Sequence, residues 1–231
     1  MQRIGLIGGL TWVSTVEYYR RLNEIIQERL GGANSADLVL ASVNREDYAQ
    51  ATSRKDEEAA RGVLVAAAQR VERAGANFIA LCCNGAHQFL PQVEREVSIP
   101  FLHIAEATAR KIQSAGLEKV ALLGVRDTME QNFYPEVLAR YGIKTMIPND
   151  AERTYIHNSI QRELANNIFR DETRRHYVEI MMGLQSRGAQ GAILGCTEIP
   201  LLIRPDDTSV VTFSTTELHC QAIVERALGS S

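Results

Sequence analysis

Two segments of this 231-residue chain are near copies of each other, and this duplication constrains the fold more than any other feature. Residues 73–84 read RAGANFIALCCN, and residues 186–197 read SRGAQGAILGCT. One offset aligns them without a gap, since Gly75 pairs with Gly188 and Cys83 with Cys196 (188 − 75 = 196 − 83 = 113). Each copy predicts a Gly-Ala turn, an apolar strand, a thiol and a small polar residue. The repeat indicates two related halves that carry equivalent cysteines.

Short apolar runs alternate with amphipathic stretches along the whole chain. The predicted strands are Arg3–Ile7, Leu38–Val43, Phe78–Leu81, Phe101–Leu102, Val120–Leu123, Lys144–Ile147, Ala192–Leu194 and Val210–Phe213. The predicted helices are Thr15–Leu30, Asp56–Arg73, Ala105–Ala115, Thr128–Tyr141, Glu152–Ile168, Glu172–Ser186 and Thr216–Ala227. Such alternation is typical of mainly parallel sheets flanked by helices. We therefore predict an α/β fold of two pseudo-symmetric lobes, with the site in the cleft between them.

The repeat also predicts where the chain divides. Residues 1–115 form the expected first lobe and residues 116–214 the second, with the terminal helix 215–228 packing back onto the first lobe. Two capping-box signatures mark expected helix starts, Ser14 with Glu17 and, in a looser form, Asp127 with Glu130.

Charge and composition exclude several functional classes. The chain has 25 Lys and Arg against 28 Asp and Glu, a net charge of −3, so no basic patch for nucleic acid or an anionic membrane is expected. No apolar run approaches the roughly 20 residues of a membrane span, and the chain opens with a strand instead of a signal peptide. Four cysteines are few for a disulfide scaffold, which favours a reducing cytoplasm.

The two repeated thiols carry the predicted chemistry. Cys83 and Cys196 follow predicted strands, where ligands bind in open α/β sheets. A helix start there lowers the pKa of a thiol, and its backbone N–H groups can hold a carboxylate. Paired thiols could form a disulfide, bind a metal, or act as base and acid on opposite faces of one carbon. The last interpretation fits best, because neither a C-x-x-C motif nor a metal-ligand spacing occurs.

A racemisation without a cofactor follows from this interpretation. One thiolate would remove the Cα proton of an amino acid, while the opposing thiol delivers a proton to the other face. No pyridoxal lysine motif is apparent among the four lysines of the chain, and no metal site is predicted.

Other interpretations of the same residues remain open. A strand-end cysteine is often an inert core residue, and Cys82 and Cys220 are assigned to the core. His87 caps or solvates a helix start, or takes part in catalysis. The glycines at 5–9 lack a nucleotide-binding pattern and are expected to let the backbone approach a small ligand. Thr11 beyond them touches that ligand or caps the next helix.

Three segments resemble the aspartate/glutamate racemase family, and in particular its broad-specificity amino-acid racemases. They read IGLIGGLTWVST at 4–15, CNGAH at 83–87 and LGCTEIP at 194–200, and the likeness extends over essentially the whole chain. The resemblance implies a cofactor-independent racemase that forms a homodimer and uses Cys83 and Cys196 as its acid/base pair. It also implies that Asn84 and Thr197 hold the substrate α-carboxylate. The remaining residues expected to bind substrate are Leu10, Thr11, Gly85, Ala86, Glu198 and Arg45.

Two positions depart from the family pattern. Gly85 stands where the family usually has threonine, which removes a hydroxyl expected to donate to the substrate carboxylate. Ser214 stands where aspartate is common. A cation for a side-chain carboxylate is expected from Arg45 in the first lobe, or from Arg153 or Arg162 in the second.

The preferred hypothesis is therefore an amino-acid racemase acting on aspartate or glutamate, with a small amino acid or dicarboxylate as its only ligand. A second hypothesis keeps the fold and changes the reaction to diacid isomerisation, decarboxylation or hydantoin racemisation. A third is a non-catalytic protein that binds a small ligand.

Overall fold

The computed structural model describes residues 1–229 and divides the chain into two compact units. The first unit comprises Met1–His103 together with the segment that begins at His219, and the second comprises Ile104–Leu218. No helix within residues 1–229 is long and apolar enough to cross a membrane.

The first unit contains one four-stranded sheet and its flanking helices. The strands are β1 (Ile4–Gly8), β2 (Leu38–Ser42), β3 (Phe78–Leu81) and β4 (Phe101–Leu102). The helices are α1 (Trp12–Leu30), α2 (Arg45–Ser53), α3 (Glu57–Arg73) and the short α4 (Leu90–Val93), with 3₁₀ turns at Gly85–Phe89 and Glu94–Glu96.

The second unit has the same kind of sheet. Its strands are β5 (Lys119–Leu123), β6 (Lys144–Met146), β7 (Ala192–Leu194) and β8 (Thr212–Ser214). Its helices are α5 (Ile104–Ser114), α6 (Arg126–Glu130), α7 (Phe133–Ala139), α8 (Asp150–Arg162), α9 (Asp171–Ser186) and α10 (Ile199–Leu202), with 3₁₀ turns at Leu164–Asn166 and Pro205–Asp207. The last helix, α11 (Thr215–Leu228), begins in this unit and continues into the first.

Strand order is the same in both units. The first sheet runs β2-β1-β3-β4 and the second β6-β5-β7-β8, with every pair parallel. The prediction of two related α/β lobes, each a parallel sheet flanked by helices, is therefore confirmed. Both sheet faces are covered in the first unit, since Ile4 and Phe78 pack in one core cluster while Ile7 and Ile79 pack in another.

The repeated Gly-Ala turn has one conformation in both copies. Gly75 and Gly188 both adopt left-handed backbone angles, with φ of +83° and +100°, which favour glycine because it has no Cβ. The N–H groups of Ala76 and Ala189 donate to carbonyls five residues back, at Val71 and at its repeat equivalent Leu184. Each turn thus ends one helix and starts the strand that leads to a cysteine.

The structure places the unit boundary earlier than the sequence interpretation did. Helix α5 was assigned to a first lobe that ended at residue 115, but it belongs to the second unit. The reason is its apolar face, since Ile104 and Ile112 are buried in one cluster with Val120 and Leu122 of β5.

Several predicted helices differ in detail. The predicted helix Thr128–Tyr141 is two helices, because Gln131 after α6 is extended (φ −87°, ψ 160°). The predicted helix Glu152–Ile168 ends at Arg162. Both predicted capping boxes are wrong, since Ser14 and Asp127 lie inside helices that start earlier.

Helix α2 was not predicted from the sequence. The signal that could have found it is Asn44, whose side chain accepts the Glu46 N–H at the start of that helix.

Candidate active site

The loop after β1 is held tightly against the neighbouring strand. Gly9 adopts a φ of +85°, and a Cβ on it would lie 2.1 Å from the carbonyl oxygen of Val43. The Gly9 N–H donates to the Thr15 hydroxyl (2.8 Å), which in turn donates to the carbonyl of Thr11 (3.0 Å). The glycine run therefore serves close packing of backbone on backbone and fixes the start of α1.

The two substrate-binding candidates in this loop are placed differently. Leu10 is buried in the core cluster on one face of the first sheet. Thr11 is the N-cap residue of α1 and is partly exposed, and its hydroxyl lies 2.6 Å from that of Ser14. Its side chain makes no capping hydrogen bond to the backbone. Of the two, Thr11 is the side chain that a ligand can reach.

Cys83 lies just beyond β3. The N–H of the preceding residue, Cys82, still donates to the carbonyl of Ile7 on β1 (2.9 Å), so the parallel pairing continues to this point. Cys82 is buried, and desolvation raises the pKa of its thiol, which leaves it a core residue. Cys83 is partly exposed, whereas Asn84 after it is buried.

Two hydrogen bonds from His87 stabilise the turn at Cys83. Its Nδ1–H donates to the carbonyl oxygen of Cys83 (2.7 Å), and its backbone N–H donates to that of Asn84 (3.1 Å). Gly85 opens the 3₁₀ turn between them, and Ala86 is buried in the core. Of the substrate-binding candidates here, Asn84 and Gly85 follow the thiol directly and Ala86 contributes packing.

Three histidines cluster behind this turn, a feature that the sequence interpretation missed. The ring of His87 lies 4.7 Å from that of His103 and 6.1 Å from that of His219, measured between centroids. Burial lowers the pKa of His87 well below its usual value and that of His219 to about 3, so both rings are neutral. No signal in the sequence links the three positions, because they come from separate elements.

Arg45, the candidate cation of the first unit, is the first residue of α2 and is partly buried. It follows β2, which pairs with β1, and β1 pairs with β3. The turns that carry Arg45, Thr11 and Cys83 therefore lie at the carboxyl ends of three adjacent parallel strands. This is the edge at which open α/β sheets bind ligands.

In the second unit, Cys196 lies just beyond β7. The N–H of Gly195 donates to the carbonyl of Leu123 on the neighbouring strand (2.6 Å), and a Cβ on Gly195 would lie 2.7 Å from that same oxygen. Cys196 is partly exposed, while Thr197 is buried. The hydroxyl of Thr216 at the start of α11 donates to the carbonyl of Thr197 (3.4 Å).

Glu198 turns its carboxylate back onto this cysteine. Its Oε2 accepts the Cys196 thiol at 2.9 Å and the Thr197 hydroxyl at 3.0 Å. Glu198 is only 1% exposed, so these bonds lie away from solvent. Within the second unit the structure thus brings together the predicted site residues Cys196, Thr197 and Glu198, and the Glu198 carboxylate is hydrogen-bonded to the Cys196 thiol.

The other second-unit candidates are Arg153 and Arg162, and of these Arg153 is held by local contacts. Arg153 is held by Glu130 (2.8 Å), Asp150 (3.3 Å) and the carbonyl of Pro148 (2.7 Å). Arg162 is exposed beside a shallow groove of about 430 Å³ on α8.

Ser214, which stands where the family commonly has aspartate, is the last residue of β8 and lies directly before α11. The hydroxyl of Ser214 accepts the Glu217 N–H at the start of α11 (3.3 Å). Among residues 1–229, no group of three or more His, Cys, Asp and Glu side chains is arranged to hold a metal.

Comparison with known proteins finds similarity along nearly the full chain. A sequence model of the Asp/Glu/hydantoin racemase family matches residues 7–223. The broad specificity amino-acid racemase RacX of Bacillus subtilis (strain 168) is 29% identical over 142 residues. That alignment covers 60% of this chain and 61% of the Bacillus protein, less than two thirds of either.

Two solved structures resemble this one over almost all of their length. A candidate Asp/Glu racemase from Yersinia pestis has a TM-score of 0.91 and 39% identity, covering 99% of this chain and 100% of that one. An aspartate racemase homologue from Pyrococcus horikoshii OT3 has a TM-score of 0.86 and 35% identity, with the same coverage.

Proposed function

Because the chain belongs to the Asp/Glu/hydantoin racemase family, whose racemases are isomerases, we propose that it is a cofactor-independent amino-acid racemase acting on aspartate or glutamate. The observation that carries the proposal is the pair of equivalent cysteine turns. Cys83 and Cys196 each follow a central strand, are each partly exposed, and occupy matching positions of the repeat. If these cysteines only filled the core, partial exposure at the matching position of both units would not be expected.

The proposed reaction moves one proton at each thiol. The thiolate of one cysteine takes the proton from Cα, so that the Cα–H bond breaks and an S–H bond forms. The thiol of the other delivers its proton to the opposite face, so that its S–H bond breaks and a new Cα–H bond inverts the centre. The mechanism requires both thiols to reach the same Cα carbon.

Binding of the α-carboxylate is proposed for the two cysteine turns. Asn84 and Thr197 follow the thiols directly, and backbone N–H groups at such turns suit a carboxylate. The same contacts stabilise the negative charge that develops when Cα loses its proton. Thr11 is proposed as a further contact, since it is partly exposed at the same sheet edge as Cys83.

Arg45 is the proposed partner of a side-chain carboxylate. A guanidinium forms strong, charge-assisted hydrogen bonds with a carboxylate, which would favour aspartate and glutamate over neutral amino acids. What supports Arg45 is its position at the end of β2, on the same sheet edge as the Cys83 turn.

Racemisation in deuterated water tests the function. Incubation of the protein with one enantiomer should yield the other with deuterium at Cα. Cys83→Ala and Cys196→Ala should each abolish inversion, because each variant keeps only one of the two thiols that the reaction needs. Cys220→Ala, at a buried cysteine of the core, is the matched control. If both site variants keep full racemase activity, the two-thiol mechanism is wrong.

Gly85 supports a second candidate function, in which the substrate is a hydantoin or another small acid. The missing hydroxyl weakens the expected contact with an α-carboxylate, a group that a hydantoin ring lacks. A substrate panel of aspartate, glutamate, neutral amino acids, hydantoins and unsaturated diacids separates these alternatives. A protein that only binds a small ligand would turn over none of them.

A cytoplasmic homodimer is proposed as the form in which the protein acts. Trp12, Val16 and Tyr19 lie on one face of α1, and each is more than half exposed, an apolar stripe that a second copy would cover. Light scattering of the purified protein should give twice the mass of the chain, and Val16→Glu should halve it.

A further inference from the structure

The two copies of the repeat differ at the position two residues beyond the cysteine. In the first copy this position is Gly85, which has no side chain. In the second copy it is Glu198 (198 − 85 = 113), whose carboxylate lies 2.9 Å from the Cys196 sulfur. The repeat therefore places a negative charge beside one thiol and none at the matching position beside the other.

The direction of the hydrogen bonds follows from the chemistry of the groups. A carboxylate has only acceptor sites, so the thiol of Cys196 and the hydroxyl of Thr197 both donate to it. The Cys196 proton is thus held on sulfur, pointing at Glu198. Loss of that proton would place a thiolate next to a buried carboxylate, and two like charges at this distance repel strongly in a site with little solvent.

We propose that Glu198 keeps Cys196 in its thiol form, so that the resting enzyme begins a turnover with Cys196 as the proton donor and Cys83 as the base. This inference rests on the proposed racemase function for its role in catalysis. Glu198 is then a positioning residue that sets a protonation state, in addition to the substrate contact expected of it from the sequence.

The asymmetry has a defined consequence for the reaction. After one inversion, the proton taken from Cα is on Cys83 and Cys196 is a thiolate beside Glu198. Repulsion from the carboxylate favours uptake of a proton from water by Cys196, while Cys83 releases its proton to water. The enzyme thereby returns to its starting form without any group beyond the two thiols and solvent.

The reactivity of each thiol with iodoacetamide, followed against pH by mass spectrometry of the two cysteine peptides, tests the proposal. In the unaltered protein, Cys196 should reach half of its maximal alkylation rate at a higher pH than Cys83. Glu198→Gln keeps the size of the side chain and removes its charge. It should lower the Cys196 midpoint by about one pH unit, which raises its rate at pH 7 about tenfold.

Glu163→Gln is the matched control, because Glu163 also accepts a threonine hydroxyl in the second unit (Thr173, 2.6 Å). It should leave the Cys196 midpoint where it is. The proposal is overturned if Cys196 titrates below Cys83 in the unaltered protein, a comparison that needs no substitution, or if Glu198→Gln leaves the midpoint unchanged. Alkylation does not depend on turnover. If Glu198→Gln shifts the Cys196 midpoint but the unaltered protein does not racemise any amino acid, only the proposed function is wrong.

Discussion

The hydroxyl of Tyr18 lies 2.8 Å from Nδ1 of His219, a residue 201 positions later in the chain. The other ring nitrogen of His219, Nε2, lies 2.9 Å from the carbonyl oxygen of Leu102, which can only accept. Nε2 therefore carries the proton, and Nδ1 accepts the Tyr18 hydroxyl. This arrangement ties α1, α11 and β4 together through one neutral imidazole.

The neutral His219 makes stability depend on pH. Burial is the main cause that lowers the pKa of His219 from 6.5 to about 3, so between these values the unfolded chain binds a proton that the folded protein does not. The free energy of unfolding should therefore fall as pH drops below 6.5, by up to about 1.4 kcal/mol per pH unit for this proton. Urea unfolding between pH 7 and 4 measures the slope.

His219→Gln should reduce that slope, because the unfolded chain then has one histidine fewer to protonate. His176→Gln is the control, since His176 is about half exposed on α9. Equal slopes in the His219 variant and the unaltered protein would contradict the account.

Gly85→Thr should strengthen substrate binding under the proposed function. Gly85 is the first residue of a 3₁₀ turn, a backbone conformation that threonine can adopt. A hydroxyl that donates to the substrate carboxylate contributes about 1.5–3 kcal/mol, so KM should fall roughly tenfold to a hundredfold. Gly85→Ala adds a methyl group without a donor and should leave KM close to its original value. The same KM for both variants would argue against a carboxylate at this position.

Gly9→Ala should destabilise the first unit severely. Its backbone is left-handed, and the new Cβ would meet main-chain atoms of Val43, which no side-chain rotation can relieve. A loss of about 3 kcal/mol or more is expected in thermal or urea unfolding. Gly62→Ala is the matched control, because Gly62 lies in α3 with nothing near its Cβ position. That change should stabilise the protein by about 0.5–1 kcal/mol, and equal effects of the two would refute the argument.

Thr128→Val should stabilise the protein. Thr128 is fully buried, and within residues 1–229 its hydroxyl has no hydrogen-bond partner, so valine of similar shape removes a desolvated polar group at a gain of about 1 kcal/mol. Thr15→Val offers the opposite case, because the Thr15 hydroxyl bonds both Gly9 and Thr11. It should lower the free energy of unfolding by about 1–3 kcal/mol. The same sign for both changes would be inconsistent with the structure.

The sequence predicts the features that local patterning encodes. All eight expected strands occur, because buried parallel strands read as short apolar runs between turns. The turns at Gly75 and Gly188 could be predicted because glycine marks a left-handed backbone position and the same Gly-Ala pair occurs in both copies of the repeat.

Contacts between distant residues leave no such signature. The ring cluster of His87, His103 and His219 depends on three separate elements, and the placement of α5 in the second unit depends on tertiary packing. The contact between Glu198 and Cys196 was also missed, although the two residues are only two positions apart, since the sequence does not say toward which neighbour a side chain turns.

The packing of α11 closes the first unit with residues from a distant part of the chain. Cys220, Ile223 and Val224 complete the core cluster that contains Ile4 and Tyr18, so the core of the first unit joins two segments that the second unit separates along the chain. The second unit, by contrast, is one continuous stretch of the chain. Closing the first unit therefore has a larger loop-entropy cost than closing the second, because its two segments meet only across the whole of Ile104–Leu218.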